Sequence, residues 1–277
     1  MTSDLTPYEG VNAIVRDLAA RSRETLGDEL VALYLHGSLA TGAFDPLRSD
    51  IDFIAVVARA LSDAAIEALR ALHRALLREG APWSRRLEGS FVPAAFLRST
   101  EPPPEPRPYI NGESFRMARY GYEWVLERHL MVERAIVVMG PPPTHFIDPV
   151  LPEEIVAANR AILTGDWAPM LDDAARLEDA EYQAYAVLTM CRCLYLAAHG
   201  AVASKPEAAR WAKARYPQWR ALIERAAAWA HGEPFDRSDE VRALIAFTLD
   251  PTFGVSETPE VFSGRDAPSV VDDDVEG

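Results

Sequence analysis

The chain has 277 residues, of which 49% are hydrophobic and 25% charged, enough to bury a sizeable core and too many for a disulfide-stapled miniature or a wholly disordered chain. Its 42 acidic and 28 basic side chains leave a formal net charge of -14, which disfavours a nucleic-acid partner and favours a cationic small molecule. No apolar run approaches the roughly 20 residues that span a bilayer, and MTSDLTPYEG lacks the pattern of a leader, so a cytoplasmic protein with no membrane partner is expected.

In chain order, residues 9 to 27 carry Val11, Ile14, Val15, Leu18 and Leu26 at helical spacing. Leu30 to Leu35 and Ile51 to Val57 read as buried strands, separated by a segment rich in turn formers at 41 to 49. Residues 62 to 79 predict a helix capped by Ser62. Leu87 to Leu97 predicts a third strand running into a loop, and EPPPEPRP at 101 to 108 is expected to be irregular. Phe115 to Glu133 has a helical pattern, and Ala135 to Met139 predicts a fourth strand ended by Gly140 and three prolines. Beyond it, residues 153 to 248 are Ala-rich and helical in pattern, with breaks near Gly165, Gly200 and Gly232, so a helical bundle is expected. The two cysteines, Cys191 and Cys193, stand two apart on one of these helices and point in different directions, as a reduced, buried pair. The expected organisation is an α/β domain with a mixed sheet over residues 1–149, an all-α bundle over 150–254 and a mobile acidic tail over 255–277.

Chemistry concentrates in His36-Gly37-Ser38, eleven intervening residues, and Asp50-Ile51-Asp52 at the start of a strand. Gly37 admits close backbone approach to a phosphate, and Ser38 offers a hydroxyl and an N–H. Asp50 and Asp52, two apart on extended chain, leave the same face and can clamp a hard cation such as Mg2+. Each motif alone also describes an ordinary strand end; their order along the chain puts phosphate donors beside metal ligands. His36 reads as a residue packed at a strand end, and the remaining histidines show no zinc-ligand spacing. Neither GxGxxG nor GxxxxGK[ST] occurs, which argues against Rossmann and Walker-type nucleotide sites.

Gly37-Ser38 followed by Asp50-x-Asp52 resembles the signature of the DNA polymerase beta-like nucleotidyltransferase superfamily. Val187 to Arg192, Gly200, and Ser204-Lys205 through Trp211 resemble the C-terminal domain of the aminoglycoside adenylyltransferases that modify streptomycin and spectinomycin; together the similarities span roughly residues 25 to 235. The resemblance implies transfer of AMP from ATP to a hydroxyl of an aminoglycoside-type antibiotic, with Mg2+ held by Asp50, Asp52 and Glu88, and with Glu88 also the general base. It implies triphosphate contacts from Gly37, Ser38 and Ser49, and from Lys205 and Arg192 reaching across from the bundle. Ser204, Pro206 and Glu207 are explained equally well as a helix start, a reading that leaves Lys205 unaccounted for. For the cationic acceptor the resemblance implies Glu178 and, approximately, Glu123, and Asp173 and Tyr182 are the candidates at the aligned positions. Tyr182 stands where the resistance enzymes carry an acidic residue, and Asp173 where the streptomycin-modifying members carry Trp, which sets this chain apart from them. The rival readings are transfer to another hydroxylated metabolite or to a protein, and a catalytically silent, antitoxin-like binding protein; a monomer is the default state.

Overall fold

The computed structural model describes residues 4–250 apart from 174 and 231; the expected tail at 255–277 lies outside the described residues. Helix α1 (Glu9–Leu26) buries the apolar stripe that its periodicity predicts, Val11, Ile14, Val15, Leu18 and Leu26. Strands β1 (Leu30–Leu35) and β2 (Ile51–Val57) pair antiparallel, and the chain turns between them through the single-turn helix α2 (Gly37–Ala40). Helix α3 (Asp63–Glu79) starts where the Ser62 hydroxyl accepts the Ala65 N–H at 3.3 Å. It crosses over to β3 (Leu87–Pro93), which runs parallel to β2.

Two expectations are corrected in the next stretch. Phe115 to Glu133 is not one helix: β4 (Arg107–Asn111) and β5 (Ser114–Ala118) form a hairpin, and α4 begins only at Trp124 (Trp124–Arg134). The proline-rich segment is not irregular to its end, because β4 takes in Arg107 and Pro108. Pro108 is tolerated because β3 pairs with β4 only from Tyr109 to Asn111, so one flank of the strand is already unpaired where the missing N–H would fall. Strand β6 (Ile136–Met139) closes a mixed six-stranded sheet of order β5-β4-β3-β2-β1-β6.

Alternation along the strands divides the sheet between two layers. Leu33 and Leu35 of β1 join Phe53, Ala55 and Phe91 beneath α1 and α3. Ala32 and Tyr34 join Ile54, Val56 and Val92 beneath α4, with Trp124 and Met131.

The bundle consists of α5 (Pro152–Ile162), α6 (Ala180–His199), α7 (Lys205–Arg215), α8 (Arg220–Ala228) and α9 (Ser238–Leu249). Helix α6 is its axis, packed by α5, α7, α8 and α9, and both cysteines are buried on it as free thiols. A π-helical turn, Leu163–Trp167, follows α5 at the expected break near Gly165. The apolar cores change over between Ile147 and Ile162, and we propose the division at 149/150 within that interval.

Two of the contacts between the bundle and the N-terminal domain lie at loops. Arg48, in the loop before β2, donates to the carbonyls of Ala227 at 2.7 Å and Ala228 at 3.1 Å, at the C-terminal end of α8. Tyr122 lies so close to Gly165 that a Cβ there would come within 2.4 Å of its ring. No helix among the described residues is long and apolar enough to cross a membrane.

Candidate active site

The parallel pairing of β2 and β3 sets Asp52 directly opposite Glu88, so two carboxylates leave the same face on neighbouring strands. Gly37 makes the approach from the other side. Its φ is +59°, and a Cβ on it would fall 2.0 Å from Oδ2 of Asp52, so the α2 turn is pressed against that carboxylate as only glycine allows. The Ser38 backbone N–H donates to Asp52, while the Ser38 hydroxyl is buried without a hydrogen-bond partner. Asp50, just ahead of β2, is half exposed and lies 3.8 Å from the Arg86 guanidinium. The Ser49 hydroxyl accepts the Asp45 N–H at 2.9 Å and so closes its own loop.

Burial and crowding hold these carboxyls toward their protonated forms. Desolvation, then the neighbouring Asp50 charge, pushes Asp52 up to about 7, against the opposing pull of Lys205, the Ser38 N–H and Arg192. Desolvation also raises Asp50 and Glu88. The Tyr109 hydroxyl, a hydrogen-bond donor to Glu88, works in the opposite direction. His36, whose N–H donates to the Asp52 carbonyl at 3.0 Å, is lowered by burial to about 4 and is therefore neutral at ordinary pH.

Lys205 opens α7, behind the Ser204 cap that accepts the Glu207 N–H at 3.4 Å. Its ammonium stands 5.1 Å from the centre of the Tyr185 ring. Burial and Arg192 lower its pKa, while Asp52, Glu88 and Asp50 raise it, so the bundle's cations and the sheet's carboxylates lie close enough to feel one another. Arg192 on α6 contributes the second positive charge.

The residues expected for the acceptor separate into two places. Tyr182 stacks on Trp167 at 5.9 Å, and Tyr185 stands 6.0 Å from Trp167 and 5.7 Å from Tyr182. Glu123, at the start of α4, acts on Tyr185, Asp166 and Glu127, which brings negative charge to this aromatic wall. Asp173 and Glu178 instead line a separate hollow with Asp236, Asp239 and Arg242, beside α9.

Besides Tyr185, three further residues near the carboxylates escaped sequence reasoning. Tyr109 and Asn111 lie on β4 beside Glu88, and the Asn111-Gly112 dipeptide, a hairpin signal, could have revealed them. Glu127 on α4 is raised to about 8 by desolvation and then by Glu123, with Arg107 opposing and Glu88 and Asp52 adding to the rise. Nothing in its local sequence marks it, because only the packing of α4 on the sheet decides which way it faces.

Among the described residues, no three His, Cys, Asp or Glu side chains converge into a ready-made metal cage. Asp52 and Glu88 nonetheless suit a hard divalent cation, which is commonly held by one or two carboxylates together with substrate phosphates. Both offer only oxygen donors, and their proton affinities are raised by burial first and then by the neighbouring carboxylates, whose charge a cation would offset.

The comparisons with known proteins agree with this layout. A family model described as a nucleotidyltransferase domain matches residues 17–156, and one described as the C-terminal domain of aminoglycoside adenylyltransferase matches residues 161–250. Among solved structures, the spectinomycin adenyltransferase AAD(9) from Enterococcus faecialis, crystallised with ATP and spectinomycin, superposes with a TM-score of 0.66 at 18% identity. That likeness covers 87% of this chain and 97% of the other. No curated protein sequence matches the chain.

Proposed function

The chain belongs to the nucleotidyltransferase family and carries the C-terminal domain of the aminoglycoside adenylyltransferases, and on that premise we propose that it transfers AMP from ATP to a hydroxyl of a cationic, aminoglycoside-type acceptor and releases pyrophosphate. The observation that carries this reading is the register of Asp52 against Glu88, with the Ser38 N–H on one side and the Lys205 and Arg192 charges facing them from the bundle.

In this reading Asp52 and Glu88, with Asp50 swung from Arg86, hold Mg2+, which when bound supplies charge neutralisation on the triphosphate. Gly37 and Ser38 take phosphate oxygens, and the unpartnered Ser38 hydroxyl is a donor to spare. Lys205 and Arg192 offset the charge of the leaving pyrophosphate. Glu88 accepts the proton of the acceptor hydroxyl as its oxygen bonds to the α-phosphorus, and the bond from that phosphorus to the bridging oxygen breaks, its electron pair departing with pyrophosphate. Tyr182, Tyr185 and Trp167 give the acceptor a flat wall, Glu123 gives it negative charge, and Glu127, raised to about 8 in the free protein, can release its proton when a cation sits beside it. Asp173 and Glu178 stay in the proposal as outer acidic contacts, and Ser49 as the residue that shapes the loop leading into Asp50.

The test is pyrophosphate release from ATP and Mg2+ with a panel of aminoglycosides and spectinomycin, with the mass of each acceptor read for one added AMP. The wild type is expected to modify at least one, and Glu88→Gln to retain ATP while transfer falls at least about a hundredfold. A panel left wholly unmodified, or a Glu88→Gln variant as fast as wild type, would refute the acceptor class or the base respectively.

A further inference from the structure

We infer that Tyr109, assisted by Asn111, is the positioning residue that aims Glu88, a reading that rests on Glu88 being the base proposed above. Strand β4 pairs antiparallel with β3, setting Asn111 opposite Glu88 and Tyr109 opposite Ser90. Two apart on one strand, both side chains stand on the face that carries the carboxylates.

Their donors converge on a single atom. The Tyr109 hydroxyl donates to Oε1 of Glu88, and Nδ2 of Asn111 reaches the same oxygen at 3.3 Å and the tyrosine oxygen at 3.4 Å. Neither donor is directed at Oε2. A glutamate on a strand has three side-chain torsions to lose, and fixing one carboxylate oxygen orients the plane of the group and aims the other. The positioning group is itself held. The Arg116 guanidinium lies 5.1 Å from the centre of the Tyr109 ring and that of Arg107 lies 5.7 Å from it. Arg107 is anchored in turn, donating to the Ser90 hydroxyl at 2.9 Å in the buried sheet.

The atoms balance without further partners. The acceptor proton passes to Oε2, and Tyr109 keeps its own proton as a donor to Oε1 throughout. Tyr109 touches neither ATP nor acceptor in this account; it acts only through Glu88.

Tyr109→Phe keeps the ring and its two guanidinium contacts and removes only the donor. The expected result is a fall in kcat for AMP transfer of about 10- to 100-fold, the range for losing a hydrogen bond to a charged group, with the KM for ATP within about twofold of wild type. Asn111→Ala, at an exposed site, is expected to lower kcat by about threefold, as the weaker of two donors. In a Glu88→Gln background, Tyr109→Phe should change kcat no further, which a general loss of structure would not reproduce. The inference is overturned if Tyr109→Phe turns over within about twofold of wild type while Glu88→Gln is crippled. It is equally overturned if the phenylalanine variant slows the glutamine enzyme as much as it slows wild type. Wild-type turnover by Glu88→Gln would instead bring down the base assignment itself, and this inference with it.

Discussion

At the scale of single residues, Glu127 shows how the cleft spends stability on chemistry. Its carboxyl is pushed up to about 8 by burial and by Glu123, from an ordinary 4.5. A carboxyl that holds its proton more tightly in the folded chain costs nothing below about 4.5, costs more as the pH climbs through the window up to about 8, and costs its full amount above that. Glu127→Gln should therefore raise the Tm of the free protein by several degrees at pH 9, with the gain shrinking to nothing toward pH 4, as thermal melts across that range would show. A cationic acceptor seated beside Glu127 would supply the charge that the free protein lacks, so a polycationic acceptor should narrow the difference between the two proteins at pH 9. Lys205 shows the converse arrangement. Three carboxylates hold its proton on while burial and Arg192 work to remove it.

At the scale of elements, the hairpin β4–β5 brings Tyr109 and Asn111 to the site, and its turn is a specific point of weakness. Gly112 has φ +55°, and a Cβ on it would come 3.1 Å from the Arg85 carbonyl. Gly112→Ala should cost about 1 kcal/mol or more of stability in denaturant unfolding and, by loosening Tyr109, should reduce turnover beyond what the stability loss explains. This hairpin is also where reading the sequence stopped short. β1, β2 and α3 were legible because each carries one unbroken signal: two apolar runs of strand length, and an amphipathic stripe behind a serine cap. Phe115, Met117, Ala118, Val125 and Leu126 mimic a helical stripe across a segment that is strand, turn and helix in succession. The Asn-Gly turn that divides β4 from β5 lies between a strand opened by proline and that false stripe. The site followed the same rule. Asp50 and Asp52 could be named because their spacing is local, and Glu88 only because the family resemblance implied it, whereas Glu127 and the ring of Tyr185 gain their meaning only when α4 and α6 are laid against the sheet. Asp173 and Glu178 line the hollow beside α9, a placement that likewise follows from packing.

At the scale of the whole molecule, a net charge of -14, with Glu123 beside the aromatic wall, attracts cations over distance. Raising the salt from about 50 to about 300 mM should lower kcat/KM for a polycationic acceptor several-fold, and change it far less for an uncharged hydroxylated acceptor. Equal salt dependence for the two would show that the field of the molecule has no part in capture. The two guanidinium hydrogen bonds from Arg48 to the end of α8 bear on how such a protein can be rebuilt. Arg48 is two residues from Asp50, so the carbonyls of a helix far along the chain help to fix the loop that leads into this proposed active-site carboxylate. A chimera joining this N-terminal half to a relative's bundle would lose that registration unless the graft also supplied two helix-end acceptors in matching places. The halves are thus poor candidates for exchange as independent cassettes, even where their separate folds are preserved.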